Sequence, residues 1–200
     1  MERLKEQVSY EQTIKGSRFL AELFPCASQS QARELIKSQK EKYADASHVV
    51  HAFIVGKNAE IMGMSDDGEP SGTSGRPALD VLRGRDCTDT LLTITRWFGG
   101  TLLGTGGLVK AYSGSAKGAV LAADEAGLFE TLVEKSDFCF SCGYDAYKTV
   151  KKILLEEFHI SDLREEFGTQ VSIRAKVHTE ERDSLARRIL DASSGKIIVR

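Results

Sequence analysis

The chain has 200 residues, a formal net charge of −2, 41% hydrophobic and 28% charged side chains. That suits one large or two small soluble domains with a real core, and it excludes a uniformly cationic nucleic-acid coat, leaving only local basic patches. No apolar run approaches the ~20 residues that span a bilayer. The charged opening Met1-Glu2-Arg3-Leu4-Lys5-Glu6 does not read as a secretory signal.

In chain order, Ser28 and Gln31 form a capping box, and Ala32, Leu35 and Ile36 follow on one helical face. His51 to Val55 and Glu60 to Met64 read as strands around a turn near Lys57-Asn58. The β-branched run Thr90 to Trp97 predicts another strand. Leu108 to Ala123 predicts a helix whose small face, Ala111, Ser115, Ala116 and Ala119, lets it sit close to a sheet.

All three prolines and most glycines precede residue 120. After Asp137 the patterns alternate regularly. Phe138 to Gly143 reads as a strand and Ala146 to Phe158 as a helix with Tyr147, Val150 and Leu154 on one face. His159 to Phe167 and the alternating Val171, Ile173, Ala175 and Val177 read as strands. Thr179 is placed to cap a helix with Glu180 and Glu181 in its first turn. Leu185, Ile189 and Leu190 are its buried stripe, Gly195 ends it, and Lys196 to Val199 is a last strand. The order β-α-β-β-α-β is a split βαβ of ferredoxin type. The fold class is therefore α+β, in two domains, 1–133 and 134–200.

Four cysteines, Cys26, Cys87, Cys139 and Cys142, include one C-x-x-C pair on a strand, where residues three apart face opposite ways. Nothing nearby completes a metal site, so the thiols read as small core residues in a reducing, cytoplasmic compartment. No metal or cofactor is expected.

Two stretches stand out: Asp66-Asp67-Gly68-Glu69-Pro70-Ser71-Gly72-Thr73-Ser74-Gly75, and Arg96-Trp97-Phe98-Gly99-Gly100-Thr101-Leu102-Leu103-Gly104-Thr105-Gly106-Gly107. They hold eight of the 18 glycines, more than simple turns require. The second lies between a strand and a helix, where free amides and the helix dipole suit an anion. No Lys-Ser or Lys-Thr follows, so it is not a Walker loop, and Val109 stands where a Rossmann third glycine belongs. Tight packing and phosphate binding both remain readings of it. In the first stretch, Asp66, Asp67 and Glu69 could hold a magnesium ion or simply form Asx-type turns.

Leu92, Ile94 and Arg96 share one strand face. A buried arginine there needs a partner. An ion pair to Asp66 or Asp67 would lock the two stretches, and a phosphate fork is the other reading. Trp97 and Phe98 read as packing or as base-stacking groups. His48 and His51 have no nucleophile beside them, so ordinary polar packing suits them, and no catalytic residue is assigned.

The run Asp66 to Thr73, with Gly75 and Pro77, resembles the signature of the Impact family. So do Thr95-Arg96-Trp97-Phe98-Gly99-Gly100, Leu103-Gly104 and Gly106-Gly107-Leu108-Val109-Lys110-Ala111-Tyr112. The resemblance covers about residues 15 to 125, and bacterial members include the YigZ proteins. Lysine is common in the family where Arg76 stands, and arginine where Lys110 stands.

The resemblance implies an N-terminal domain similar to the second domain of a small-subunit ribosomal protein. It implies a C-terminal domain similar to the last domain of elongation factor G. It implies a non-enzymatic binding protein of the translation machinery, with RNA or the ribosome as partner, or a protein partner in translation control, and no membrane. The contact candidates are Asp66, Asp67, Glu69, Ser71, Thr73, Arg76, Arg96, Gly99, Gly100, Gly104, Gly106, Gly107, Lys110 and Tyr112. The competing reading is a phosphate- or nucleotide-binding enzyme that uses the acidic loop with a metal. Residues 136–200 hold 11 basic and 11 acidic side chains, so the tail is neutral in sum.

Overall fold

The computed structural model describes residues 1–200, in two units, Met1–Leu132 and Val133–Arg200. In the first unit the chain forms β1 (Glu2–Leu4), β2 (Val8–Ile14), β3 (Ser17–Pro25), α1 (Gln29–Lys42), β4 (His48–Val55) and β5 (Ile61–Ser65). It continues with α2 (Gly75–Gly84), β6 (Cys87–Thr88), β7 (Thr90–Trp97), α3 (Thr105–Glu125) and β8 (Phe129–Thr131).

Strands β2 and β3 form a hairpin through Lys15 and Gly16, both at positive φ (47° and 79°), with Ile14 opposite Ser17. Such two-residue turns match the twist of the strands they join. The main sheet has the order β2-β3-β7-β4-β5 and is antiparallel throughout. The ladder aligns Phe19, Ala21 and Leu23 with Arg96, Ile94 and Leu92, and these with His48, Val50 and Ala52. Directly opposed residues share a face. This face is covered by α2 and α3, through Ala78 and Leu82 and through the small residues Ala111, Ala116 and Ala119.

The other face is covered by α1, whose Ala32, Leu35 and Ile36 meet Phe24, Phe53, Val55 and Leu91. Ser28 caps α1 as expected, its Oγ accepting from the Gln31 amide at 3.2 Å. Strand β7 is thus buried on both faces, which explains its long apolar and threonine-rich run. A small second sheet, β6-β1-β8, ties the chain start to the end of α3.

The second unit contains β9 (Lys135–Cys142), α4 (Tyr144–Glu157), β10 (Ile160–Phe167), β11 (Val171–His178), a 3-10 turn (Thr179–Glu181) and α5 (Arg182–Ala192). Its sheet has the order β10-β11-β9. Val171, Ile173, Ala175 and Val177 bury one sheet face with Val150, Leu154, Leu185 and Ile189 of the two helices.

Two expectations are corrected here. The last strand, Lys196 to Val199, is not formed. The Lys196 amide bonds the Ser193 carbonyl and the Ile197 amide bonds Ser193 Oγ at 3.0 Å, so both turn back onto the end of α5. The segment reaches β9 only at Arg200, which exchanges two backbone bonds with Cys139, at 2.9 and 3.0 Å. Thr179 does not cap α5 either, because its hydroxyl bonds Ser136 Oγ and a 3-10 turn intervenes. Cys139 and Cys142 face opposite sides of β9, and all four cysteines are free thiols. No helix is long and apolar enough to cross a membrane.

Candidate functional site

The acidic stretch leaves β5 through a turn in which Asp67 and Gly68 take positive φ and the Glu69 amide bonds the Asp66 carbonyl at 3.0 Å. Asp tolerates this conformation better than most side chains. The turn sends the three carboxylates in three directions.

Asp66 is aimed at the start of α2. Its carboxylate accepts from the amides of Gly72 (2.8 Å), Ser74 (3.1 Å) and Gly75 (2.8 Å) and from Ser74 Oγ (2.7 Å). Burial alone would raise its pKa, but these four donors outweigh burial and hold the carboxyl below its usual range. An Asp eight residues upstream thereby supplies the cap that Ser74 does not.

Asp67 reaches the other way, to Lys40 Nζ of α1 and to the Val49 amide at 2.7 Å. Here too burial opposes ionisation, while Lys40, the amide and the His48 ring favour it and lower the pKa. His48 Nδ1 donates to the Asp67 carbonyl at 2.8 Å.

Glu69 points inward. Its Oε1 accepts from Arg96 Nη1 at 2.6 Å and from the Tyr112 hydroxyl at 2.7 Å. Glu69, Arg96 and Tyr112 are 7%, 5% and 0% exposed. The partner of Arg96 is therefore Glu69, not Asp66 or Asp67 as the ion-pair reading had it, because the two aspartates are already committed to α2 and to Lys40 and Val49. Burial and the Glu69 carboxylate together push the Tyr112 hydroxyl pKa far up, so it stays a donor. Arg96 Nη2 donates to Ser17 Oγ at 3.3 Å, and Ser17 Oγ also accepts from the Gly99 amide at 3.1 Å. One buried guanidinium thus joins the hairpin, both glycine stretches and α3.

The second stretch has an inner and an outer side. At Gly99 a Cβ would stand 1.9 Å from the Gly16 carbonyl carbon, so two backbones touch there. Gly100 and Gly104 take positive φ (84° and 71°), and a Cβ at Gly100, Gly104 or Gly106 would meet nothing within 4 Å. Helix α3 starts after Gly104 with no side-chain cap. Phe98, just before these glycines, is 49% exposed, and Leu102, between them, 83%.

Of the expected contact residues, Ser71, Arg76, Gly99, Gly100, Gly104, Gly106 and Lys110 are exposed and Gly107 is half-buried. Arg76 is paired with Asp80 at 2.9 Å. Glu69, Thr73, Arg96 and Tyr112 are turned inward, Thr73 Oγ1 bonding the Pro70 carbonyl at 2.6 Å. Asp66 and Asp67, half-buried, serve α2 and α1. Trp97 bonds Asp45 at 2.8 Å and lies under the Arg18 guanidinium. His51 is held neutral, since burial and the Lys40 charge lower its pKa.

The three acidic residues do not converge as a metal set. The group whose ligand atoms do converge, within 4.8 Å, is His159, His178 and Glu181 in the second unit, where Glu181 is already bonded to His159 Nδ1 at 2.8 Å. Sequence reasoning missed Ser17, His48 and Lys40 as partners of this site. Their contacts depend on strand register and, for Lys40, on how α1 packs, and carry no local signal.

Residues 15–120 match the family profile of the Impact N-terminal domain. IMPACT family member YvyE of Bacillus subtilis is 31% identical over 195 residues, which is 96% of this chain and 87% of that one. The chain belongs to the IMPACT family. IMPACT family member YigZ of Escherichia coli is 38% identical over 115 residues, 56% of each protein. A solved crystal structure, described as that of a hypothetical protein, is 27% identical with a TM-score of 0.66 over 99% of this chain and 95% of that one. The stretch shared with the IMPACT domain therefore includes Ser17, His48, both glycine stretches and Tyr112.

Proposed function

We propose that this IMPACT family chain is a cytoplasmic, non-enzymatic binding protein of the translation machinery. In this reading the outer faces of the two glycine stretches touch RNA or the ribosome. The observation that carries it is the two-sided construction of those stretches. Their inner side, Arg96, Glu69, Tyr112 and Ser17, is spent on holding the loops in place. Their outer side presents Phe98, Leu102, Lys110 and the uncapped start of α3 to solvent. Exposed aromatic and apolar groups beside glycines, with free amides and a lysine near by, suit a surface that stacks on bases and meets phosphates. A similarity of the first unit to a ribosomal-protein domain, and of the second to the last domain of elongation factor G, belongs to the same reading.

The acidic loop gives the nucleotide-enzyme reading no support, since Asp66, Asp67 and Glu69 are each committed to protein donors.

Co-sedimentation with ribosomes across a salt series tests the proposal. The wild type should pellet at low salt and be released as salt rises. The double variant Leu102→Ser, Lys110→Glu, at two exposed positions, should pellet several-fold less while keeping its melting temperature. A wild type that stays in the supernatant at low salt sinks the reading.

A further inference from the structure

The tail is neutral in sum, yet its charges are sorted by the sheet. Helices α4 and α5 cover one face of β10-β11-β9. On the opposite face the register places Arg164 against Arg174, and Arg174 against Cys139. Cys139 in turn exchanges two backbone bonds with Arg200. Three arginines therefore stand in one cross-strand row, about 14 Å long at ~4.8 Å per strand. All three are exposed, and none has a carboxylate or aromatic partner. A groove of about 600 Å³ runs over the row, with Asp137, Asp162 and Lys176 on its wall. Asp162 is paired with Lys176 at 3.2 Å, which leaves the three arginines facing Asp137. Beside it Lys196, Ser141 and Ser172 line a second hollow that shares Cys139, Arg174 and Arg200.

Like charges directly opposite one another on a sheet are destabilising. Arg164 against Arg174, with neither side chain in an ion pair, is such a pair, and a bound anion would relieve it. Guanidinium forks match phosphate oxygens two at a time. A row of them across a flat sheet suits a repeating, evenly spaced diester better than a single small anion. Ile198 is the one exposed large apolar side chain of the lining, too little for an apolar face that enters a membrane.

We propose that this open sheet face binds the phosphodiester backbone of RNA through Arg164, Arg174 and Arg200. The proposal rests on the reading that the protein meets RNA, and it assigns to the second unit a surface of its own.

The test is anisotropy of a labelled oligouridylate with the full chain across a salt series. The wild type is compared with the triple variant Arg164→Ser, Arg174→Ser, Arg200→Ser, whose melting temperature should be kept because all three sites are exposed. The triple variant should bind at least about tenfold more weakly. Its salt slope should be smaller by about 2, since each phosphate of a single strand that goes unneutralised removes ~0.7. A triple variant with wild-type affinity and slope overturns the row and leaves the RNA reading of the glycine loops standing. A wild type that ignores the oligonucleotide at low salt overturns the row, while the ribosome reading is decided by co-sedimentation. If polyglutamate displaces RNA from the wild type and binds in the same row-dependent way, the site belongs to acidic protein and the RNA assignment falls.

Discussion

Arg96 and Glu69 form an ion pair of 2.6 Å, with both side chains inside the protein. Two charges taken out of water are stable only when the geometry and the remaining hydrogen bonds are good. Glu69 meets that condition through Tyr112, and Arg96 meets it in part through Ser17, with its Nε left unbonded.

Removing one partner should therefore be worse than removing both. Arg96→Ala is expected to cost about 3–5 kcal/mol, since it strands the Glu69 charge. Tyr112→Phe should cost about 1.5–3 kcal/mol, the range for a bond to a charged acceptor. The double variant Arg96→Met, Glu69→Leu should recover much of the loss of the single change. Urea unfolding of the four proteins decides this, and an Arg96→Ala protein as stable as wild type would refute the lock.

The glycines of the second stretch should sort by environment. Gly99→Ala forces a Cβ against the Gly16 carbonyl and the Ser17 amide and must move backbone, so a loss of roughly 1–3 kcal/mol or more is expected. Gly106→Ala has free space and ordinary φ in the first turn of α3, so it should be neutral or stabilising by up to ~1 kcal/mol. If Gly106→Ala unfolds as easily as Gly99→Ala in thermal melts, the description of the outer side is wrong.

Asp66 should contribute to acid sensitivity. Its folded pKa lies below the ordinary value of 3.8, so its stabilisation is present above 3.8 and is lost as pH falls through the lower folded value. Asp66→Asn should cost about 0.5–2 kcal/mol at neutral pH, as loss of a cap does. Its unfolding free energy should then fall less than that of the wild type below pH 4. Parallel curves for the two proteins would count against the cap.

His51 acts in a higher window. Its folded pKa is depressed below 6.5 by burial, so the unfolded chain takes up the proton first. Its contribution is present above 6.5 and disappears as pH falls through the folded value. His51→Leu should flatten the stability curve between pH 7 and 5, read by chemical denaturation at each pH.

Much of the fold is legible locally. The capping box at Ser28, the small face of α3 and the alternation of Val171 to Val177 each announce their element through one short pattern. Helix α2 carries an apolar stripe, Ala78, Leu79 and Leu82, but no local signal for its cap. It begins at Gly75-Arg76-Pro77, and its cap is Asp66, reached only through a folded loop. The site behaves in the same way. Arg96 is recognisable as a buried charge by strand parity, but choosing Glu69 over its two neighbours requires knowing where each aspartate points. The arginine row of the second unit is more remote still, because neutral totals hide a register that sets Arg164, Arg174 and, beyond Cys139, Arg200 in one line.

Gly16 and Gly99 meet backbone to backbone, with no side chain between them. A junction made of side chains can be retuned by changing both members, a large one shrinking as its neighbour grows. This one cannot, since neither residue has anything left to give up. The hairpin tip and the loop after β7 are therefore mechanically joined. A partner that shifts the loop must push on the end of the β2-β3 ribbon, and a change in the ribbon's tip alters the posture in which the loop is offered.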